Sequence, residues 1–223
     1  MRAVLFDFDG VLVNSEPLHF QALRDALLPE QILIDEEIYA KEYLAQDDRG
    51  AIRTALANSG RSCDPAHMGA IQDRKSRCFE ALMPQVSFFP GARELVRALQ
   101  REVPLAIASG ALTSEIDALL RAGGLRDAFS AIVGADQVGQ GKPHPEPYLT
   151  AMARVATHAP GLRPEECLVF EDSMPGIAAA LAAGMQVVAV TNSYPAAKLA
   201  AAHRVVESLD GLTPAALREL FAE

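Results

Sequence analysis

From about Phe89 onward the sequence alternates short apolar runs with amphipathic segments, and this alternation constrains the fold more than any other feature. The runs are "LAIAS" (105–109), "AIVG" (131–134), "CLVFED" (167–172) and "VVAVT" (187–191), with an earlier one, "AVLF" (3–6), near the N-terminus. Between them stand "GARELVRALQRE" (91–102), "TSEIDALLRAG" (113–123), "PEPYLTAMARVAT" (145–157) and "PGIAAALAAG" (175–184). Uninterrupted apolar strands alternating with helices predict an α/β fold with a doubly wound parallel sheet covered on both faces. Helix punctuation agrees: Ser114 with Asp117 resembles a capping box, and Gly123-Gly124 and Gly184 stand where C-terminal glycines belong. The Ala-rich stretches "AAALAAG" and "PAAKLAAAH" read as good helix formers.

Residues 16 to 83 have another character. "EPLHFQALRDALL", "DEEIYAKEYLAQ", "DRGAIRTALANSG" and "AHMGAIQDRKSRCFEALM" all carry helical spacing, and no strand is expected among them. A helical block therefore follows the first strand and precedes the remaining alternation. The expected organisation is an α/β core made of 1–15 and 84–223, with a small all-helical domain, 16–83, inserted after strand one. Loops in that position carry function in such sheets.

Charge and cysteine content narrow the partners. The 20 basic and 29 acidic residues give a net charge of −9 without a basic stripe, so a nucleic-acid partner is not expected. No run approaches the ~20 uninterrupted apolar residues of a membrane span. Asp7 and Asp9 interrupt the only early apolar run, which argues against a signal peptide. Cys63, Cys78 and Cys167 form neither a pairing pattern nor a metal knuckle, and a reducing cytoplasm is the expected compartment. A monomer or weak homodimer is expected.

Ligands of open parallel sheets bind at the carboxyl ends of the strands. Strand one ends in Asp7-Phe8-Asp9-Gly10, "LAIAS" in Ser109-Gly110, and "CLVFED" in Glu171-Asp172 with Ser173 behind it. Lys142 lies in the Gly- and Pro-rich loop "GQGKPHPEP" after "AIVG". Two carboxylates 4 Å apart repel by about 4 kcal/mol at an effective dielectric near 20. Asp7, Asp9, Glu171 and Asp172 in one crevice thus call for an oxygen-seeking dication, and Mg²⁺ held by carboxylates and a substrate phosphate fits. Lys142 is the nearby fixed cation, and Ser109 with the N–H groups after Ser109 and Asp9 can donate to phosphate oxygens. One aspartate can attack phosphorus as a nucleophile, while its neighbour protonates the leaving alcohol and then activates water. Gly10 permits the tight turn at this edge. In the helical block His19, Arg49 and Lys75 are candidate substrate contacts.

These residues resemble the haloacid dehalogenase-like hydrolases, and within them the phosphatase and β-phosphoglucomutase-like branch with a helical cap. "DFDGVLVNSEPLH" resembles the family's first motif, "IASG" the second, Lys142 in "GKPHPEPY" the third and "FEDSMPGIAAALAAGM" the fourth, all in family order. The resemblance implies Asp7 as nucleophile and Asp9 as general acid/base, with Ser109 holding the phosphoryl group beside Gly110. Lys142 would neutralise its charge and that of Asp7. Mg²⁺ would be coordinated by Asp7, the main-chain carbonyl of Asp9 and Asp172, with Glu171 as direct ligand or behind the ligands. The implied activity is Mg²⁺-dependent hydrolysis of a small phosphate monoester, of the sugar phosphate or phosphoglycolate kind, through a phospho-aspartyl intermediate, with the cap closing over the site. Asn14 departs from the Asp common in close relatives and bears on cap or substrate detail. Dehalogenase members lack an acid at the Asp9 position, which favours phosphoryl transfer. Two alternatives use the same core residues: a sugar phosphomutase of the β-phosphoglucomutase type, and a non-enzymatic receiver phosphorylated on Asp7.

Overall fold

The computed structural model describes residues 1–44, 46, 48–62 and 64–220, with the Leu220 side chain left aside. Cys63 lies outside the described residues. Two compact units result: Met1–Asn14 with Ser87–Glu223, and Ser15–Val86.

The first unit carries a six-stranded parallel sheet. Its strands are β1 (Ala3–Phe6), β4 (Leu105–Ala108), β5 (Ala131–Val133), β6 (Cys167–Glu171), β7 (Gln186–Val190) and β8 (Arg204–Val206). The two-residue strands β2 (Val13–Asn14) and β3 (Ser87–Phe88) pair antiparallel with each other. Across the large sheet the order is β5-β4-β1-β6-β7-β8. From β1 the chain therefore winds outward through β4 and β5 on one side, and through β6, β7 and β8 on the other. The winding reverses at β1, and the crevice at such a switch point is where open α/β sheets bind ligands.

Burial explains the uninterrupted apolar runs. All four residues of β1 and all four of β4 are buried, as is every residue of β6. The helices of this unit are α5 (Ala92–Leu99), α6 (Thr113–Ala122), α7 (Glu146–Val155), α8 (Met174–Ala182) and α9 (Pro214–Leu220). Phe6 of β1 stacks on Phe170 of β6 with ring centroids 5.0 Å apart, directly beneath the acidic strand ends. Full burial of each such side chain is worth about 1.5–3 kcal/mol. Register then sets the site: Phe6 lies opposite both Ile107 and Phe170, so the residues that follow emerge at one level.

Two local expectations need correction, and one strand had no expectation behind it. The stretch "PAAKLAAAH" makes only a 3₁₀ turn at Ala196–Lys198. Leu199 is its one fully buried side chain, and helices this short are marginal in water without an apolar face to pack. The α6 N-terminus does not use Ser114 and Asp117. Glu115 accepts from the Leu112 N–H at 3.2 Å, Asp136 accepts from the Thr113 N–H and hydroxyl at 2.8 Å, and Asp117 instead binds Arg121 and Arg126. Strand β8, three half-exposed residues opening with Arg204, has no apolar run to announce it.

The second unit consists of α1 (Glu16–Leu27), α2 (Glu36–Glu42), α3 (Asp48–Asn58) and α4 (Pro65–Leu82), with no strand among its described residues. Leu23, Leu27, Ile52, Leu56 and Ile71 form its main core. Asp35 and Asp64 cap α2 and α4 by accepting from the Ile38 and His67 N–H groups at 2.8 and 3.0 Å. Between α1 and α2, Glu30 accepts from Arg74 at 2.9 Å and meets His67 at 3.0 Å, which ties this loop to α4. Among the described residues no helix is long and apolar enough to cross a membrane.

Candidate active site

At the carboxyl edge of the sheet β1 continues into Asp7, whose N–H donates to the Phe170 carbonyl at 2.9 Å. That bond extends the β1–β6 ladder by one step and fixes Asp7 beside Glu171. Lys142 joins them: its Nζ lies 2.5 Å from Asp7 Oδ1 and 2.5 Å from Glu171 Oε1. The loop that delivers Lys142 is itself tied down, because Glu146 at the start of α7 accepts from the Gly139 and Gln140 N–H groups at 2.7 and 3.0 Å.

Glu171 has no exposure at all, and every oxygen is spoken for. Besides Lys142, its Oε1 accepts from the Tyr148 hydroxyl at 2.6 Å. Its Oε2 accepts from the Asp172 N–H at 3.0 Å, the Ser173 N–H at 3.2 Å and the Ser173 hydroxyl at 3.0 Å. Ser173 also caps α8 by accepting from the Gly176 N–H at 3.2 Å. Burial works to raise the Glu171 carboxyl, but Lys142 and then the Tyr148 and Ser173 hydrogen bonds hold it below the usual range. The Tyr148 hydroxyl is pushed well up by its own burial and by the Glu171 charge, so it stays a neutral donor, and its ring faces Lys142 Nζ at 4.9 Å. Lys142 is desolvated, yet Asp7 and Glu171 outweigh that and keep its ammonium above the usual lysine range.

Asp7 and Asp172 behave differently. Burial pushes the Asp7 carboxyl well above the carboxylate range, against the pull of Lys142. Asp172 is pushed up to about 7, by burial first and the Glu171 charge next. Its Oδ2 accepts from the Ser193 hydroxyl, in the loop after β7, and lies against the bare Cα of Gly10. A Cβ at Gly10 would come within 2.6 Å of Asp172 Cγ, so only glycine lets these two loops meet, and its φ of +79° also suits glycine. The neighbouring Asn192 donates to the Gly10 carbonyl at 2.7 Å. Ser109 faces the other acid of the pair, its hydroxyl 3.5 Å from Asp9 Oδ2, while accepting from the Ala111 N–H at 3.1 Å. Gly110 follows, exposed, with open space where a side chain would stand.

Ligand atoms of Asp7, Glu171 and Asp172 all lie within 4.8 Å of one another. Three carboxylates against one ammonium leave an excess of negative charge, which a hard dication with oxygen ligands would offset. The donor set sorts the ligands. Glu171 is saturated by five hydrogen bonds, whereas at Asp7 and Asp172 burial outweighs the help that Lys142 and Ser193 give the ionised forms. The residues present therefore fit such an ion, which Asp7 and Asp172 would hold while Glu171 anchors Lys142. The Asp9 carboxylate stands outside this trio.

Asp7, Lys142, Glu171 and Asp172 are thus brought into contact, with Asp9, Ser109 and Gly110 along the same edge. His19 and Lys75 belong to the helical unit and meet there: Lys75 Nζ lies 2.9 Å from His19 Nδ1 and 2.6 Å from Asp48 Oδ1. Lys75 is buried, and His19 stacks on Phe79 with centroids 4.2 Å apart. Arg49 is exposed on α3. Sequence reasoning passed over Tyr148, Asn192 and Ser193. Position alone could have found the last two, since they follow a strand of the same sheet. A wide cleft of about 820 Å³ lies away from this chemistry, beside β5, where Arg126 and Arg154 are already bonded to Asp117 and the Ile132 carbonyl.

A buried acid cluster with one lysine, at the switch point of a parallel sheet interrupted by a helical unit, is a site suited to phosphoryl transfer. The chain belongs to the haloacid dehalogenase-like hydrolases, whose family description matches residues 1–184. It is 32% identical over 209 residues to Protein CbbY of Rhodobacter capsulatus, covering 87% of each chain. It is 32% identical to the fructose-1-phosphate phosphatase YqaB of Escherichia coli over 188 residues, 84% of this chain and 95% of that one. The solved structure of CbbY from Rhodobacter sphaeroides in complex with phosphate superposes with a TM-score of 0.82 at 27% identity, over 95% of this chain and 96% of that one.

Proposed function

We propose that the protein is a Mg²⁺-dependent phosphatase that hydrolyses a small phosphate monoester through a phosphorylated Asp7. The observation that carries this reading is the position of Lys142, bridging Asp7 and Glu171 beside Asp172. A phosphoryl group brought to Asp7 meets that ammonium and the Ser109 hydroxyl. An Asp7 carboxylate oxygen forms the new bond to phosphorus as the ester P–O bond breaks. Asp9 gives its proton to the departing alcohol oxygen, then takes one from the water that attacks phosphorus, releasing phosphate and restoring Asp7. Mg²⁺, held by Asp7, Asp172 and the Asp9 main-chain carbonyl, would supply neutralising charge for the phosphoryl oxygens and keep Asp7 ionised. Glu171 serves by holding Lys142 in place.

The name of the Escherichia coli relative, a fructose-1-phosphate phosphatase, supports sugar phosphates as the substrate class. The test is phosphate release from a panel of sugar phosphates and phosphoglycolate, with Mg²⁺ or with EDTA. Asp7→Asn and EDTA should each abolish turnover, and substantial activity under either condition would refute the mechanism. The family match favours hydrolysis over the receiver alternative. The mutase alternative is supported by the Lys75–His19–Asp48 cluster of the helical unit, polar machinery beyond what the core chemistry needs. Isomerisation of β-glucose 1-phosphate with a bisphosphate activator separates the two. A reducing cytoplasm suits Cys78 and Cys167, which are not joined in a disulfide.

A further inference from the structure

The loop after β7 contributes two side chains to the site that no motif marks. Ser193 donates its hydroxyl to Asp172 Oδ2. Asn192 donates to the Gly10 carbonyl at 2.7 Å. These contacts join three separate strand ends, since Gly10 follows β1, Asp172 follows β6 and the dipeptide follows β7. Gly10 and Asp172 also touch directly, through the glycine's missing side chain, and a Cβ there would come within 2.9 Å of Ser193 Oγ as well. The dipeptide therefore grips both walls of one narrow contact.

We propose that Asn192 and Ser193 are positioning residues for the divalent-cation site: Ser193 holds one oxygen of Asp172 and leaves the other for the ion, while Asn192 keeps the Asp7–Gly10 loop in step with it. The inference rests on the cation reading given above. A carboxylate with both oxygens unrestrained rotates freely and must be ordered when the ion binds. One with Oδ2 already held has met much of that entropy cost beforehand. Partners of this kind behind a metal ligand typically change metal affinity by about 10–100-fold when removed. Ser193 suits a clean test because it sits at an exposed position, where losing a hydroxyl leaves the core untouched.

The experiment is a calorimetric titration of Mg²⁺ into the metal-stripped protein without substrate, beside thermal melts of each variant. Ser193→Ala should weaken Mg²⁺ binding by about tenfold or more with an unchanged melting temperature. Ser193→Thr, which keeps the hydroxyl, should restore affinity to near the parent value. Asn192→Ala should weaken binding in the same direction. In turnover assays Ser193→Ala should need more Mg²⁺ for half-maximal rate yet approach the parent kcat at saturation. Parent protein that binds Mg²⁺ while Ser193→Ala binds it equally well would overturn this inference and leave the phosphatase reading standing. Parent protein that binds no Mg²⁺ at all would overturn both. A Ser193→Thr variant as weak as Ser193→Ala would also overturn it, since the hydroxyl would then not be the cause.

Discussion

Gly176→Ala offers a test in which local preference and tertiary structure predict opposite signs. Gly176 is the third residue of α8, and by helix propensity alone alanine there should gain at most about 1 kcal/mol. Yet a Cβ at this position would fall under 3.0 Å from both oxygens and the carboxyl carbon of Glu171. The carboxylate is fully buried between Lys142, Tyr148 and Ser173, so it has nowhere to retreat. Forcing it aside breaks the Lys142 pair, and losing one partner of a buried ion pair costs about 3–5 kcal/mol. The balance is about 2–4 kcal/mol of destabilisation, which for a chain of this size lowers the melting temperature by about 5–15 °C. Activity should fall with it, because Lys142 loses its anchor. The assay is a thermal melt followed by circular dichroism, run beside Gly69→Ala. Gly69 lies within α4 with nothing within 4 Å of its would-be Cβ, so the same exchange there should be neutral or stabilising by up to about 1 kcal/mol. A Gly176→Ala protein as stable and active as the parent would show that Glu171 is not lodged against α8, and the account of Lys142 would fail.

Two further outcomes follow from the same geometry. Tyr148→Phe keeps the ring that faces Lys142 but removes the donor to Glu171 Oε1, so kcat should drop about tenfold while Mg²⁺ affinity stays unchanged; weakened metal binding instead would make Glu171 a ligand. In the helical unit, burial works to raise the Glu30 carboxyl, but hydrogen bonds from Arg74 and His67 outweigh it and hold it low. A depressed carboxyl contributes stability that is present above its unfolded pKa and disappears as pH falls through the folded value. Glu30→Gln should therefore cost about 1–2 kcal/mol at neutral pH and leave the variant's stability less sensitive to acid than the parent's. Equal acid sensitivity of the two proteins, followed by thermal melts from pH 7 down to pH 3, would refute this.

Much of the architecture was legible because burial on both faces leaves a strong trace. Strands such as β1 and β6 have no polar side to display, so "AVLF" and "CLVFE" stand out as unbroken runs, and helices between them enforce parallel pairing. The acids at their ends were conspicuous for the same reason, as charges where a buried strand stops. Strand β8 and the 3₁₀ turn at Ala196–Lys198 were not legible, since each is set by what it packs against rather than by its own pattern.

By itself the sequence marked Asp7, Asp9, Ser109, Glu171 and Asp172, because each stands where an apolar run ends, but it left Tyr148, Asn192 and Ser193 unmarked. Which carboxylate does what was decided only by the tertiary structure. Glu171 and Asp172 are adjacent acids of one run, yet one is saturated by Tyr148, Ser173 and Lys142 while the other faces Ser193 and Gly10. Those partners come from α7, from the start of α8, and from the loops after β1, β5 and β7. Electrostatic roles depend on distance and desolvation, which no spacing along a chain can encode until the sheet brings its strand ends together.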